Sequence, residues 1–158
     1  MKKIVRIITR LCVGGPSIHT TLLSGHFNKE GWESKLYVGS LADKEADMSY
    51  LAKEYNVDTI YIEGLGREIS IIDDIKAIYN IYKFLKKEKP DIVHTHLFGA
   101  DFFGVFAAKY VGIKNIVSTE HNLNKSEGIL KNFAKFISIR FPKRIIAIST
   151  AVKNYINK

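Results

Sequence analysis

The chain has 158 residues, 46% of them hydrophobic, enough to enclose one core and too few for two domains of ordinary size. It carries 24 Lys and Arg against 16 Asp and Glu, a formal net charge of +8. That balance favours anionic partners such as phosphorylated substrates, acidic lipid surfaces or nucleic acid, without choosing among them.

Cys12 is the only cysteine, which excludes an internal disulfide, paired-thiol zinc ligands and a Cys-x-x-Cys redox motif, and makes a reducing, cytosolic setting the expectation. The opening Met1-Lys2-Lys3-Ile4-Val5-Arg6-Ile7-Ile8 is basic, but Arg6 interrupts its apolar run and Thr9-Arg10 follow, unlike the core of a signal peptide. No apolar stretch is long enough to span a bilayer, so a soluble or membrane-peripheral chain is expected. Long Gly/Ser/Pro tracts, repeats and single-sign charge blocks are absent, which argues for a globular chain.

Short β-rich runs alternate with longer helical patterns in six strand-helix units, the signature of a mostly parallel sheet wrapped by crossover helices. The first strand is predicted from Lys3 to Thr9. Val13-Gly14-Gly15-Pro16-Ser17 then permits a tight turn before a helix from about Ser17 to Lys29, ended by Gly31. Ser34 to Val38 reads as the second strand, Lys44 to Tyr55 as a polar helix and Val57 to Ile62 as a third strand, with Gly64 and Gly66 breaking the chain.

Ser70 is placed to cap a helix in which Ile71, Ile75, Ile78, Tyr82 and Leu85 recur at helical spacing until Lys86-Lys87-Glu88-Lys89 and Pro90. Asp91 to Thr95 follows as strand four. Phe98 to Val111, apolar nearly all round, reads as a buried helix ended by Gly112. Asn115 to Thr119 is strand five, Ile129 to Arg140 a helix with basic flanks, and Arg144 to Ile148 strand six. Ser149 then caps a last helix running to the terminus.

In an open parallel sheet, ligands bind beyond the carboxyl ends of the strands, near the point where strand order reverses. The polar and glycine residues cluster at those ends: Gly14 and Gly15 after strand one, His94 and His96 closing strand four, Glu120, His121 and Asn122 after strand five, and Ser149 after strand six. The Gly14-Gly15 loop would let backbone amides at a helix start approach an anionic group, or it is an ordinary strand-to-helix turn. It lacks both the G-x-G-x-x-G spacing and the Gly-Lys-Ser/Thr ending, which disfavours a nicotinamide cofactor or ATP.

His94 and His96 stand two apart, so they face one side of a strand, and His121 can approach them from the next strand end. Three readings stay open. The three imidazoles suit zinc, although no nearby aspartate or cysteine completes the set. One imidazole can serve structure inside the sheet while the other lies near the surface, which suits His94 as the structural one. A polar contact with a sugar-like substrate is favoured for His96, because it terminates the strand.

Leu130-Lys131-Asn132-Phe133-Ala134-Lys135-Phe136-Ile137, with Arg140, Lys143 and Arg144, mixes bulky apolar residues with cations at helical spacing. It reads equally as a peripheral membrane helix and as a core helix with a solvated basic edge. No recognised nucleic-acid-binding motif accompanies it, and nucleic acid is not an expected partner.

Four segments in order carry a family resemblance: Cys12-Val13-Gly14-Gly15-Pro16-Ser17-Ile18-His19, Lys89-Pro90-Asp91-Ile92-Val93-His94-Thr95-His96, Ser118-Thr119-Glu120-His121-Asn122, and Ile145-Ile146-Ala147-Ile148-Ser149-Thr150-Ala151-Val152. Together they resemble the GT4 glycosyltransferase family, over almost the whole chain. The resemblance implies a GT-B architecture of two Rossmann-like domains facing across a cleft, with residues 1–158 forming the amino-terminal, acceptor-side domain. It further implies retention of anomeric configuration, no metal and no cofactor. Carried onto this sequence, Gly14 and Gly15 would face the cleft near the donor diphosphate and the acceptor. His96 would lie near the transferred sugar as the catalytic position, and His121 and Ser149 would be further substrate-binding residues.

Members of the family hold the nucleotide-sugar donor with paired glutamates, Glu-x7-Glu, in a carboxy-terminal half, and no pair of glutamates here has that spacing. The expected function is therefore the amino-terminal domain of an enzyme that moves a sugar from a nucleotide-sugar donor to a saccharide or lipid-linked acceptor, in cell-surface polysaccharide or glycolipid synthesis. Without a donor domain it is expected to be inactive. An anionic membrane surface, met through the Lys131–Arg144 region on the inner face of the membrane, is a further expected partner. A non-catalytic acceptor-binding module and a metal hydrolase built on His94, His96 and His121 are the competing readings.

Overall fold

A computed structural model describes residues 1–66, 70–122 and 129–156. Six strands, β1 (Lys3–Ile8), β2 (Glu33–Val38), β3 (Thr59–Tyr61), β4 (Ile92–His96), β5 (Ile116–Glu120) and β6 (Arg144–Ala147), alternate with six helices. These are α1 (Gly15–Lys29), α2 (Ser49–Glu54), α3 (Ile71–Glu88), α4 (Phe98–Val111), α5 (Ile129–Arg140) and α6 (Thr150–Ile156). The strands form one sheet in the order β3-β2-β1-β4-β5-β6, and every pairing is parallel. The chain winds outward from β1 to β3, then returns to pair β4 with β1, so strand order reverses between β1 and β4. This is the expected Rossmann-like α/β arrangement, and its ligand crevice belongs at the carboxyl ends of those two strands.

The two faces of the sheet differ in chemistry. On one, Val5, Ile7, Tyr37, Val93 and Ile116 pack with Ala77, Ile81 and Leu85 of α3 and Ala100, Phe103, Ala107 and Ala108 of α4. On the other, Ile8 and Leu36 pack with Leu11, Ala52 and Val57, beside the buried polar residues Arg6, Ser34, His94 and His96. Helix α1 covers this second face with Ser17, Thr20, Thr21, Ser24 and Gly25. Thr20 and Ser24 donate their hydroxyls to carbonyls four residues back, a bond that lets small polar residues sit inside a helix-sheet contact.

Two expectations need correction. The predicted helix from Lys44 to Tyr55 is only Ser49–Glu54. Upstream, Cys12 bridges Asp47, the Glu45 carboxylate accepts from Arg10 Nε and Ala42 N, and Lys44 has a left-handed backbone, so these contacts displace helical bonding. Strand three is shorter than Val57 to Ile62, and the Val57 amide bonds Ala52 O of α2 at 2.8 Å instead of a neighbouring strand. In α3, Ile71 and Ile75 are exposed and the buried residues are Ala77, Ile81 and Leu85. The helix itself is the one the spacing predicts, and the first residues of its apolar series face outward.

Other boundaries agree within a residue or two. Ser70 caps α3 by accepting from Asp73 N, Lys89 ends it in the left-handed conformation, and Gly112 ends α4 at φ 89°, where a side chain would be strained. Helix α4 is buried along most of its surface, with Phe106 and Tyr110 left exposed. The last helix is described to Ile156; residues 157–158, to which it was expected to run, lie outside the described residues.

Candidate functional site

The site assembles at the switch point between β1 and β4. Gly14 and Gly15 lie where the chain enters α1, with Gly14 at its N-cap and Pro16 in its first turn. A Cβ added at Gly15 would meet nothing within 4 Å, and one at Gly14 only the Pro16 ring at 3.8 Å. The fold itself does not require glycine at Gly15, so the bare backbone there is free for something outside this domain to approach.

His96 is the last residue of β4 and is fully buried; His94, two residues earlier, is buried as well. Their rings lie 4.1 Å apart on one side of the strand, as strand periodicity requires. The expectation that one imidazole would lie near the surface is corrected, because both are buried. His94 has the structural role anticipated for it, with Nε2 2.8 Å from Thr119 Oγ1. His96 Nδ1 sits 3.1 Å from Nε2 of His121, which follows the end of β5. The remaining nitrogen of His96, Nε2, is buried without a hydrogen-bond partner among the described residues.

Burial holds these imidazoles neutral. His94 is lowered to about 3, first by desolvation and then by the charge of Arg6. His121 is lowered to about 4 by the same desolvation, and His96 lies well below the ordinary value for the same first reason. Arg6 is itself enclosed in β1: it donates to Ser34 Oγ and places its guanidinium 4.7 Å from the centre of the Phe27 ring. The histidines at neutral pH therefore act as hydrogen-bonding groups and not as cations.

Sequence reasoning missed His19. It projects from the second turn of α1, its ring 5.7 Å from that of His96 and 5.5 Å from that of His121. The signal was present: a helix that begins at a glycine loop after the first strand aims its first turns at the ligand rim, so a polar residue four positions beyond Gly15 belongs to that rim. The trio His94, His96 and His121 is accordingly replaced by His19, His96 and His121, since Thr119 holds His94.

Ser149 lies beyond β6, where its Oγ accepts from Val152 N and caps α6. It lines an open groove with Lys143, Arg144, Thr150 and Lys153, a lining that includes none of the histidines. Helix α5 buries Ala134, Ile137 and Ser138 and leaves Phe133 and Phe136 exposed; the side chain of Lys131 lies outside the described residues. No helix among the described residues is long and apolar enough to cross a membrane.

Comparison with known proteins extends beyond fold. The profile of Glycosyltransferase Family 4 matches residues 13–158. A UDP-Gal:alpha-D-GlcNAc-diphosphoundecaprenol alpha-1,3-galactosyltransferase of Escherichia coli is 30% identical over 123 residues, 68% of this chain and 32% of that protein. Among solved structures, sucrose-phosphate synthase of Thermosynechococcus elongatus superposes with a TM-score of 0.76 at 14% identity, over 99% of this chain and 45% of the other. UDP-GlcNAc 2-epimerase of Neisseria meningitidis, bound to UDP-GlcNAc, superposes at 0.70 with 16% identity, over 99% and 43%. The chain thus spans about a third of its curated relative and less than half of each solved chain. Those two superpositions speak for the fold, which transferases share with an epimerase; the profile match speaks for the family. With that match running from the glycine loop through α6, the chain belongs to Glycosyltransferase Family 4.

Proposed function

We propose that this chain is the acceptor-side domain of a retaining glycosyltransferase, which moves a sugar from a nucleotide-sugar donor to a saccharide or lipid-linked acceptor. The donor would be held by a second domain, on the same or a separate polypeptide. The observation that carries this reading is the pairing, at one switch point, of the open Gly15 backbone with the neutral pair of buried His96 and half-buried His121. The first offers amides to a diphosphate; the second offers uncharged polar contacts to sugar hydroxyls.

The named chemistry of the Escherichia coli relative, a UDP-sugar donor and a diphosphoundecaprenol acceptor, supports a lipid-linked acceptor for this chain too. Both partners are anionic, in keeping with a net charge of +8. The domain alone presents one wall of the cleft. Stabilising the departing diphosphate needs groups on its other side, and we infer that the chain described here does not turn over by itself. Ser149, already engaged as a helix cap, would contribute from the rim at β6, and the exposed face of α5 would bring the domain to the inner, anionic surface of a membrane.

The test is transfer from a panel of radiolabelled nucleotide sugars to lipid-linked and saccharide acceptors, with the chain alone and with a family donor domain supplied separately. Turnover confined to the mixture, and lost on His96→Ala, is the expected result. Acceptor binding by the folded chain with no turnover in any mixture would instead favour a non-catalytic binding module.

A further inference from the structure

We propose that His19, His96 and His121 form a binding site for a divalent cation of the zinc class. One ring nitrogen from each lies within 4.8 Å of the other two. The three residues come from α1, the end of β4 and the segment after β5, so the fold, and not one flexible loop, brings them together. His96 Nδ1 and His121 Nε2 are 3.1 Å apart, close to the separation of about 3.3 Å between two ligands of a tetrahedral zinc bound at about 2.0–2.1 Å. His19 is exposed, and a side-chain rotation carrying its nitrogen inward by roughly 1–2 Å completes the triangle.

Two further observations single out this trio. His94 lies beside His96 but has its Nε2 committed to Thr119, whereas the His96 Nδ1 contact is made within the trio itself, to His121 Nε2. The cluster contains no carboxylate and no thiol among the described residues. Three imidazoles favour zinc, cobalt, nickel or copper over magnesium and calcium, which take oxygen ligands. The side of the cluster beyond His19 faces solvent, leaving a fourth coordination position for water or for an anionic oxygen. Because His96 is also the proposed sugar contact, a bound cation and the sugar would compete for one imidazole.

The inference concerns the imidazoles alone and is tested without any transfer assay. The chain, freed of metal by chelation, is titrated with Co2+ while its visible absorption is followed, and the Zn2+ retained after dialysis is then counted. One ion per folded chain is expected, insensitive to excess Mg2+. His19→Ala and His121→Ala should each weaken binding by at least about tenfold, since loss of a supporting group around a metal already does that much. His26→Ala, on the exposed side of the same helix, should change nothing. Circular dichroism of each variant confirms that it is folded. No uptake by the folded wild type, or uptake that survives both His19→Ala and His121→Ala, overturns the site. A failed transfer assay leaves it standing.

Discussion

Thr95 Oγ1 donates to Asp101 Oδ1 across 2.6 Å, tying the inside of β4 to the first turn of α4. Ser118 Oγ donates to the same oxygen at 2.7 Å, while Oδ2 is buried without a partner. Desolvation, with a smaller contribution from Glu120, pushes the Asp101 carboxyl up to about 8 from 3.8, so the folded protein holds a proton there that the unfolded chain has lost. Stability from this group is fully present below about pH 4, declines as pH rises toward 8, and is gone above that. Asp101→Asn keeps an acceptor for both hydroxyls and does not titrate. Urea unfolding from pH 5 to 9 should show the variant gaining on wild type by on the order of 1 kcal/mol per pH unit up to about 8, then by no more. Parallel curves would mean that Asp101 is ionised in the folded protein.

Helix α3 makes a second prediction, because its sequence pattern and its packing disagree. Ile75→Gln should shift stability by less than about 0.5 kcal/mol, since Ile75 is 63% exposed. Ile81→Ala, removing a side chain that is 1% exposed, should lower it by roughly 2–5 kcal/mol. Equal losses in denaturant titrations would place Ile75 in the core beside Ile81.

The same contrast marks how far the sequence could be read. Elements bounded by a cap or a glycine were legible to within a residue or two, as in α3 from Ser70 and α4 to Gly112, because local backbone chemistry decides them. The orientation of α3 was not, since Ile71 and Ala77 both suit a helix and only the position of the neighbouring α4 chooses between them. Pattern also brought His96 and His121 to one rim. It did not bury His96, which depends on tertiary packing around the end of β4, nor add His19, whose role exists only once α1 is in place.

Exposed Phe133 and Phe136 on α5, with Arg140, Lys143 and Arg144 nearby in sequence, have the composition of a surface that enters an anionic interface. The chain should sediment with vesicles containing phosphatidylglycerol and not with neutral ones, and the bound fraction should fall as salt rises. Phe133→Ser with Phe136→Ser should reduce binding several-fold, while circular dichroism stays unchanged. Binding that depends on charge but ignores both phenylalanines would make the contact purely electrostatic.

Two glycines at the carboxyl end of the sheet should respond oppositely to one added methyl group. Gly39 follows β2, where a Cβ would lie 2.1 Å from the Leu65 carbonyl oxygen and 2.3 Å from that of Thr9. Those atoms are backbone, and the Ser40 amide bonds Leu65 O at 2.7 Å, so neither can retreat without opening the turn. Gly39→Ala should therefore destabilise by roughly 1–3 kcal/mol or more. At Gly15 nothing lies within 4 Å, and alanine is a better helix former, so Gly15→Ala should melt at or slightly above the wild-type temperature. If an anionic group approaches the amides at the start of α1, that methyl group stands in its path, and transfer in the reconstituted assay should drop about tenfold or more with folding intact. A fully active Gly15→Ala would show that the loop is only a turn, and the diphosphate contact would have to be sought elsewhere on the rim.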